Sequence, residues 1–212
     1  MLKIQILIDN PSSWIIPYAN RLLLDLSNLG HIVKLIHRHE DVERGDILCI
    51  LACEKIFKQL ILNKHNLVVH ESDLPKGKGW SPVTWQILER KNRIPVTLFE
   101  AVEELDAGPI YAQEYIDLEG NELLPEIKHK QGIITQNLII DFVNHFPNVS
   151  SKFQTGEETF YPRRKPEHSI LDINESIACQ FDKLRVCDND RYPAYFFYRN
   201  AKYIIKIYKE ND

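Results

Sequence analysis

The chain has 212 residues, of which 44% are apolar and 26% charged, enough for one domain, or one domain with a small appendage. The formal net charge of −4 argues against long-range attraction to nucleic acid or an anionic membrane, and favours a small-molecule substrate. Apolar stretches fall short of the roughly 20 residues that span a bilayer, and the first residues lack a signal-peptide cleavage site. We therefore expect a cytoplasmic protein that binds neither nucleic acid nor membrane.

The first part of the chain alternates β-rich runs with a helical pattern. Leu2–Ile8 predicts a strand, and Trp14–Leu29 carries apolar residues at helical spacing and stops at Gly30, a typical C-terminal cap. Further strands are predicted at Ile32–Ile36, Ile47–Leu51 and Leu67–Val69. This alternation predicts an α/β fold with a mostly parallel sheet that is covered on both faces.

The third of these apolar runs is followed directly by His70. Ligands of parallel sheets bind beyond the carboxyl ends of the strands, so a site is expected at His70. The next segment, Glu71–Trp80, is too rich in Gly and Pro to be regular. Ser81-Pro82 then begins a helix to about Lys91, with the serine as its cap and the proline in its first turn.

After this helix the pattern returns to strands. Val96–Glu100 and Ile110–Ile116 predict two more, joined through the Gly- and Pro-containing turn Leu105–Pro109. Leu123–Phe146 is broadly helical. These elements complete a main domain at residues 1–152.

The composition changes near residue 153 to a polar connector that contains Pro and Arg. A helix is predicted at about Asn174–Val186, followed by a hairpin over Ala194–Tyr208 that turns at Arg199-Asn200. We therefore predict a small C-terminal α+β subdomain over residues 153–212.

The four cysteines form no C-x-x-C pair, so neither disulfides nor a structural zinc site is expected. Cys49 lies within an apolar run, where a buried thiol is the simple expectation. We expect a protein that needs no metal.

Three stretches together resemble the folate-dependent formyltransferases. His70–Gly79, read as H-E-S-D-L-P-K-G-K-G, resembles the family segment N-x-H-x-S-L-L-P-x-x-R-G. Glu104–Ile110 is similar to the family's D-x-G-P-I turn and its following strand. Tyr161–His168 and Arg191–Phe196 are similar to the stretch after the catalytic domain in methionyl-tRNA and sugar formyltransferases. Each stretch alone is a weak signal, but together they occur in the family's order and cover most of the chain.

The resemblance implies a Rossmann-like formyltransferase fold, with residues 1–152 as the catalytic domain, and transfer of a formyl group from the cosubstrate 10-formyltetrahydrofolate to a primary amine. Attack of a neutral amine on the formyl carbon creates a negative oxygen, which needs a hydrogen-bond donor, and a nitrogen whose proton needs a base. By the resemblance, His70 is the donor, and Asp106 orients it and handles the proton. The resemblance implies these folate contacts: Lys55, Phe57, Val102, Glu103, Glu104 and Asp106.

One departure from the family pattern matters for catalysis. The family's asparagine, two positions before the histidine, aligns with Val68, whose side chain can donate nothing. Losing one oxyanion donor typically costs about 10²–10³ in rate, so we expect another group to replace it. Asn66 would point to the same strand face, but one step further from the site.

Five further side chains are candidates for substrate contacts: Asn10, Ser12, Lys76, Lys78 and Trp80. Asn10 and Ser12 precede a helix whose N-terminus favours anions, although helix capping is the leading account of them. Either both lysines are solvent-exposed residues of a loop, or one of them contacts a phosphate of the substrate. Trp80 is either a core residue or a ligand contact.

The resemblance also narrows the acceptor. We expect neither the larger C-terminal domain of methionyl-tRNA enzymes nor the glycine-rich phosphate loop of glycinamide ribonucleotide enzymes. The string H-E-S-D-L-P-K-G-K-G-W-S-P looks like the compact sugar formyltransferases of the pseudaminic-acid type of pathway. The implied acceptor is a nucleotide-linked sugar, a UDP-linked 4-amino-4,6-dideoxy-N-acetyl hexose, for surface polysaccharide or glycan biosynthesis.

Two other functions stay open. Val68 favours a catalytically degenerate binding module that kept the fold, and a 10-formyltetrahydrofolate hydrolase would use the same histidine and aspartate with water as acceptor. The C-terminal segment speaks against the hydrolase, because deformylases lack that ending. A homodimer is also left open.

Overall fold

The computed structural model describes residues 1–210. In chain order the elements are β1 (Lys3–Leu7), α1 (Ile16–Asn28), β2 (Ile32–Ile36), β3 (Gly45–Ile50), β4 (Asn63–His70), β5 (Lys78–Gly79), α2 (Pro82–Leu88), β6 (Arg93–Glu100), β7 (Ile110–Asp117), α3 (Leu124–His145), β8 (Phe160–Tyr161), α4 (Phe181–Arg185), β9 (Ala194–Tyr198) and β10 (Ala201–Ile205). Among these described residues, none of the helices combines the length and the apolar character that crossing a membrane requires.

Six strands form the main sheet in the order β2-β1-β3-β4-β6-β7. The first four run parallel, and Ile4 of β1 pairs with both Val33 of β2 and Ile47 of β3. β6 and β7 run antiparallel at the other side of β4. The expected α/β fold with a mostly parallel sheet is confirmed. His70, the last residue of β4, lies at the edge where the parallel strands end.

Both faces of the sheet are covered, but by different kinds of structure. On one face, Ile4 and Ile6 pack with fully buried leucines of α1, Leu22 and Leu26, and with residues of α3. Burial of each such leucine contributes about 1.5–3 kcal/mol. The other face packs mainly on connecting segments, represented by Phe57. Loops rather than helices therefore close the second face, because the chain between β3 and β4 forms only a short 3₁₀ turn.

The predicted helices differ from the structure mainly at their ends. α1 begins at Ile16 rather than Trp14, with a proline in its first turn. Ser81 precedes α2 as predicted, but it makes no side-chain capping hydrogen bond and has a φ of 49°. The predicted serine cap is therefore wrong, and α2 ends at Leu88 rather than near Lys91.

The C-terminal residues agree with the prediction only in part. The helix expected over Asn174–Val186 is reduced to a 3₁₀ turn and the short α4. The hairpin of β9 and β10 forms as expected, and its turn residues Arg199 and Asn200 have φ values of 45° and 65°. Positive φ at both positions is what a type I′ turn requires. The division at residue 152 stays a prediction, and residues 211 and 212 of the proposed subdomain lie outside the described residues.

A buried ion pair joins α4 to the segment before α3. Arg185 Nη2 lies 3.0 Å from Glu122 Oε2, and the two side chains are 1% and 5% exposed. Lys130 Nζ lies 2.8 Å from the other oxygen, Oε1. Burial raises the pKa of Glu122, but hydrogen bonds from Lys130 and backbone N–H groups outweigh this effect and bring the pKa to about 2. Removing one partner would leave the other with weaker compensation, Lys130 for Glu122 or Asp182 for Arg185, at a cost of up to about 3–5 kcal/mol.

Candidate active site

The irregular segment after β4 is held in place by β8. Lys78 and Gly79 pair in parallel with Phe160 and Tyr161, and the Lys78 N–H donates to the Thr159 carbonyl at 2.9 Å. Gly79 has a φ of +98°, and a Cβ at this position would lie 2.6 Å from the Tyr161 carbonyl oxygen. Only glycine allows this backbone approach, which explains why this position of the motif is a glycine.

Asp106 lies in the turn before β7, and its φ of 50° is a conformation that aspartate tolerates better than most residues. A Cβ on Gly108 would lie 1.6 Å from the Glu100 carbonyl oxygen, so the turn needs glycine there. Gln154 Nε2 donates to the carbonyls of Asp106 and Gly108, at 2.9 and 2.8 Å. The D-x-G spacing thus places the aspartate in a tight, fixed turn.

The structure brings His70 and Asp106 together. Nε2 of His70 lies 3.9 Å from Oδ2 of Asp106, and the two side chains are 9% and 10% exposed. The same Nε2 lies 2.9 Å from the Gly77 carbonyl, which can only accept, so this nitrogen carries a proton in the arrangement seen. Oδ2 of Asp106 accepts the Gly79 N–H at 2.9 Å. Both side chains are therefore oriented by the backbone of the segment after β4.

His70 and Asp106 line a cleft of about 530 Å³, a volume within the usual range for small-molecule sites. The cleft is also lined by all the other predicted folate contacts: Lys55, Phe57, Val102, Glu103 and Glu104. Trp80 lines it as well, 40% exposed, with the Arg163 guanidinium 4.8 Å from its ring centroid. The residues implied by three separate stretches therefore meet in one place.

Asp9, which follows the first strand, supports one wall of this cleft. Its carboxylate accepts hydrogen bonds, at 2.8 and 2.9 Å, from the first two backbone N–H groups of the loop Glu54–Phe57. Ligating atoms of Asp9, His39 and Cys53 lie within 4.8 Å of one another. Burial raises the pKa of the Cys53 thiol to about 12, and Asp9 is already bonded to the loop. We therefore assign this cluster a structural role.

Four candidate substrate contacts lie outside the cleft. Asn10 accepts the Ser12 N–H at 2.9 Å, which is a local turn. Lys76 lines a separate cavity behind the segment that follows β4. The Lys78 side chain is 1% exposed and pairs with Glu158 at 2.5 Å, so it lies away from both solvent and the cleft.

Val68 lines the cleft where the family has asparagine. It packs against Leu74 and Phe99, so its surroundings are apolar. Asn66 donates from Nδ2 to the Leu60 carbonyl at 2.9 Å and is not among the residues that line the cleft. The amide of Asn66 is therefore not the missing donor, and a replacing group stays a prediction.

Glu71, which belongs to none of the predicted sets, also lines the cleft. Its Oε1 accepts a hydrogen bond from Gln131 Nε2 of α3 at 2.6 Å. Burial raises the pKa of Glu71; His70 lowers this pKa, and Asp106 raises it further. The signal in the sequence is a carboxylate at the variable position of H-x-S, directly beside the histidine.

The comparisons with known proteins agree with this geometry. A sequence profile described as formyl transferase matches residues 31–140, about half of the chain. The chain belongs to the formyl transferase family. The matched region contains His70, Asp106 and the residues proposed to contact folate.

Curated relatives match only part of their own length. The methionyl-tRNA formyltransferase of Thermotoga maritima is 28% identical over 152 residues, which cover 69% of this chain and 49% of the relative. The chain spans about half the length of the curated relatives it matches.

Several solved structures share the fold over nearly the whole chain. The methionyl-tRNA formyltransferase from Clostridium thermocellum has a TM-score of 0.83 at 19% identity, with coverage of 100% of this chain and 94% of that one. A sugar N-formyltransferase from a Shewanella species has a TM-score of 0.73 at 16% identity, with coverage of 100% and 99%. HypX from Aquifex aeolicus, in complex with tetrahydrofolic acid, has a TM-score of 0.79 at 17% identity, with coverage of 97% and 37%. These likenesses show a common fold.

Proposed function

We propose that this chain is an N-formyltransferase that moves a formyl group from 10-formyltetrahydrofolate to a primary amine. The observation that carries the proposal is the pair His70 and Asp106, 3.9 Å apart and nearly buried in one cleft. A donor and a base side by side are what acyl transfer to an amine needs. Val68 stands where the family has an asparagine that can donate to the same oxygen, and it lines the same cleft.

The cleft residues fit a folate as formyl donor. Phe57 and Val102 offer apolar surface for a flat ring, and the loop Glu54–Phe57 is held in place by Asp9. The turn before Asp106 brings a second stretch of backbone to the same cleft. When bound, 10-formyltetrahydrofolate supplies the carbon that the amine attacks.

The side chains then have distinct tasks. His70 provides an N–H for the oxygen that becomes negative as the amine adds, once the ring gives up its contact with Gly77. Asp106 holds the histidine ring and takes part in moving the proton from the attacking nitrogen. Gly79 and Gln154 hold Asp106 in place, so this residue needs little rearrangement on binding, whereas His70 has to move away from the Gly77 carbonyl.

We propose a nucleotide-linked amino sugar as the acceptor, with a UDP-linked 4-amino-4,6-dideoxy-N-acetyl hexose as the leading candidate. The motif string from His70 to Pro82 and the net charge of −4 support it. So does the fold shared with a sugar N-formyltransferase over 99% of that chain. Methionyl-tRNA is the acceptor to test against it, because methionyl-tRNA formyltransferases are among the relatives.

A panel of acceptors tests the proposal directly. UDP- and dTDP-linked amino sugars and methionyl-tRNA are each incubated with 10-formyltetrahydrofolate, and mass spectrometry detects the gain of one formyl group. The matched control is His70→Ala. Formylation of an amino sugar but not of methionyl-tRNA is expected. Formylation of methionyl-tRNA alone would refute the sugar, and formate release without any amine would show a hydrolase.

We further propose that the C-terminal hairpin joins two copies of the chain. β9 and β10 form a separate two-stranded sheet, one side of which packs on α4 through Ala194 and Ile205. Phe197 and Ile204 are 52% and 59% exposed. Light scattering should give twice the mass of one chain for the wild type, and Phe197→Ser should lower the measured mass toward that of one chain. A wild-type monomer at micromolar concentration would refute this interface.

A further inference from the structure

The cleft has two walls that belong to opposite faces of the sheet. Phe57 and Val68 belong to the face closed by loops, whereas Ile15 and Val69 belong to the face covered by α1 and α3. Glu71 follows the end of β4, and its Oε1 accepts a hydrogen bond from Gln131 Nε2 of α3, so its carboxyl is directed toward the helices. Glu71 therefore faces the wall opposite the proposed folate contacts, where an acceptor has room.

The Glu71 carboxyl is held in place, but it is not paired with a cation. Its Oε1 accepts from the neutral amide of Gln131 at 2.6 Å, and its carbonyl accepts from Gln86 Nε2 at 2.6 Å. Within residues 1–210, none of the ion pairs includes Glu71. The charges that shift its pKa are those of His70, which lowers it, and Asp106, which raises it. Glu71 is half-buried on the cleft wall, where a carboxylate without a cation is costly. The cation that this site lacks is thus one that a ligand can supply.

We propose that Glu71 binds the acceptor amine in its ammonium form and takes the proton that this amine must lose before it can attack. The inference rests on the proposed N-formyl transfer and names a further catalytic residue for it. An aliphatic amine has a pKa near that of lysine, about 10.4, so it reaches the enzyme mostly as ammonium. An ammonium nitrogen has no lone pair, so it cannot attack until a base removes a proton.

The proton balance requires two transfers. One proton passes from the ammonium nitrogen to the Glu71 carboxylate, and later to solvent. The freed lone pair forms the bond to the formyl carbon, whose oxygen is held by His70. A second proton leaves the same nitrogen by way of Asp106 and reaches the folate nitrogen as the bond between that nitrogen and the formyl carbon breaks. Burial raises the pKa of Glu71, which suits a base that works near neutral pH.

Glu71→Gln tests the proposal, because it removes the charge and the base while keeping the shape and a partner for Gln131. Glu114→Gln is the matched control: a half-buried glutamate on β7 that is not among the residues lining the cleft. Calorimetry without folate compares the amino sugar that wild type formylates with its hydroxyl counterpart. Glu71→Gln should weaken binding of the amine about tenfold, because one charge-assisted hydrogen bond is lost. The affinity for the hydroxyl compound should stay unchanged. Equal losses for both compounds, or none for the amine, would overturn the proposal.

The pH profile provides the second measurement. At pH 7, kcat/KM of Glu71→Gln should fall by about 10²-fold or more, the usual contribution of a general base. The loss should shrink as the pH approaches the amine's own pKa, because solution then supplies the neutral amine. A loss that is the same at every pH would show a purely structural role. Wild type that formylates no amine in the panel would instead refute the proposed function itself.

Discussion

Replacing Val68 by asparagine puts the family's amide back where this chain has an apolar side chain. Val68 packs against Leu74 and Phe99 on the cleft wall, so the new amide would enter apolar surroundings. An unsatisfied buried amide costs about 1–3 kcal/mol. Each kcal/mol shifts the Tm of a chain of this size by roughly 2–4 °C, so the melt should fall by roughly 2–12 °C.

The effect on rate decides between two accounts of Val68. If another group already replaces the donor, Val68→Asn should leave kcat unchanged or lower it. If Val68 is an uncompensated defect, the amide should recover much of the roughly 10²–10³ attributed to one oxyanion donor. Val68→Leu is the control, because leucine has the shape of asparagine without its polar atoms. Steady-state formylation by all three proteins, with thermal melts, gives the answer, and a gain of tenfold or more in Val68→Asn would refute compensation.

Three further predictions follow from the same structure. His70→Ala and Asp106→Ala should each remove most turnover with little change in the melt; a double variant much slower than either single one would contradict a shared role. Truncation after Pro166 should give insoluble or unstable protein, because the chain then lacks α4 and its buried ion pair. A truncated protein with normal activity would show that the C-terminal segment is dispensable. Glu122→Gln should cost up to about 3–5 kcal/mol at pH 7, since it removes the carboxylate that Arg185 and Lys130 share and leaves Arg185 with Asp182 alone. The pKa of Glu122 is about 2 in the folded protein and ordinarily 4.5, so the wild type loses this stability as the pH falls from 4.5 to 2. In urea unfolding, the difference in free energy of unfolding between wild type and Glu122→Gln should be smaller at pH 3 than at pH 7. Equal differences at the two pH values would contradict the low pKa.

The parts of the fold that the sequence predicts well are those fixed by local pattern. β2 was expected at Ile32–Ile36 and lies there, and α1 ends beside Gly30, whose φ of +87° suits a C-terminal cap. The region Asn174–Val186 was mispredicted as one helix. Its helical pattern is real, but tertiary contacts decide its shape: the Gln180 side chain binds the backbone at Asp172 and interrupts a regular helix.

The candidate site was predictable only where residue type and motif agree. His70 and Asp106 follow from their motifs, and the structure brings them together across 36 positions of sequence. Lys78 looked like a solvated or phosphate-binding lysine, and its burial depends on Glu158, a partner 80 positions away that no local pattern indicates. Glu71 could not be ranked from sequence either, because its place in the cleft depends on the packing of α3 against the end of β4.

Val68 and Glu71, on either side of His70, both bear on the negative charge that forms during transfer. The family asparagine would stabilise the oxygen that turns negative during transfer, by about 2.7–4 kcal/mol for a donor of this kind. A carboxylate nearby would oppose that charge. If Glu71 takes the proton of the incoming ammonium first, it is neutral when the oxygen becomes negative, and this repulsion is absent. Proton transfer to Glu71 before attack therefore removes an opposing charge from a site that lacks the donor of the family asparagine.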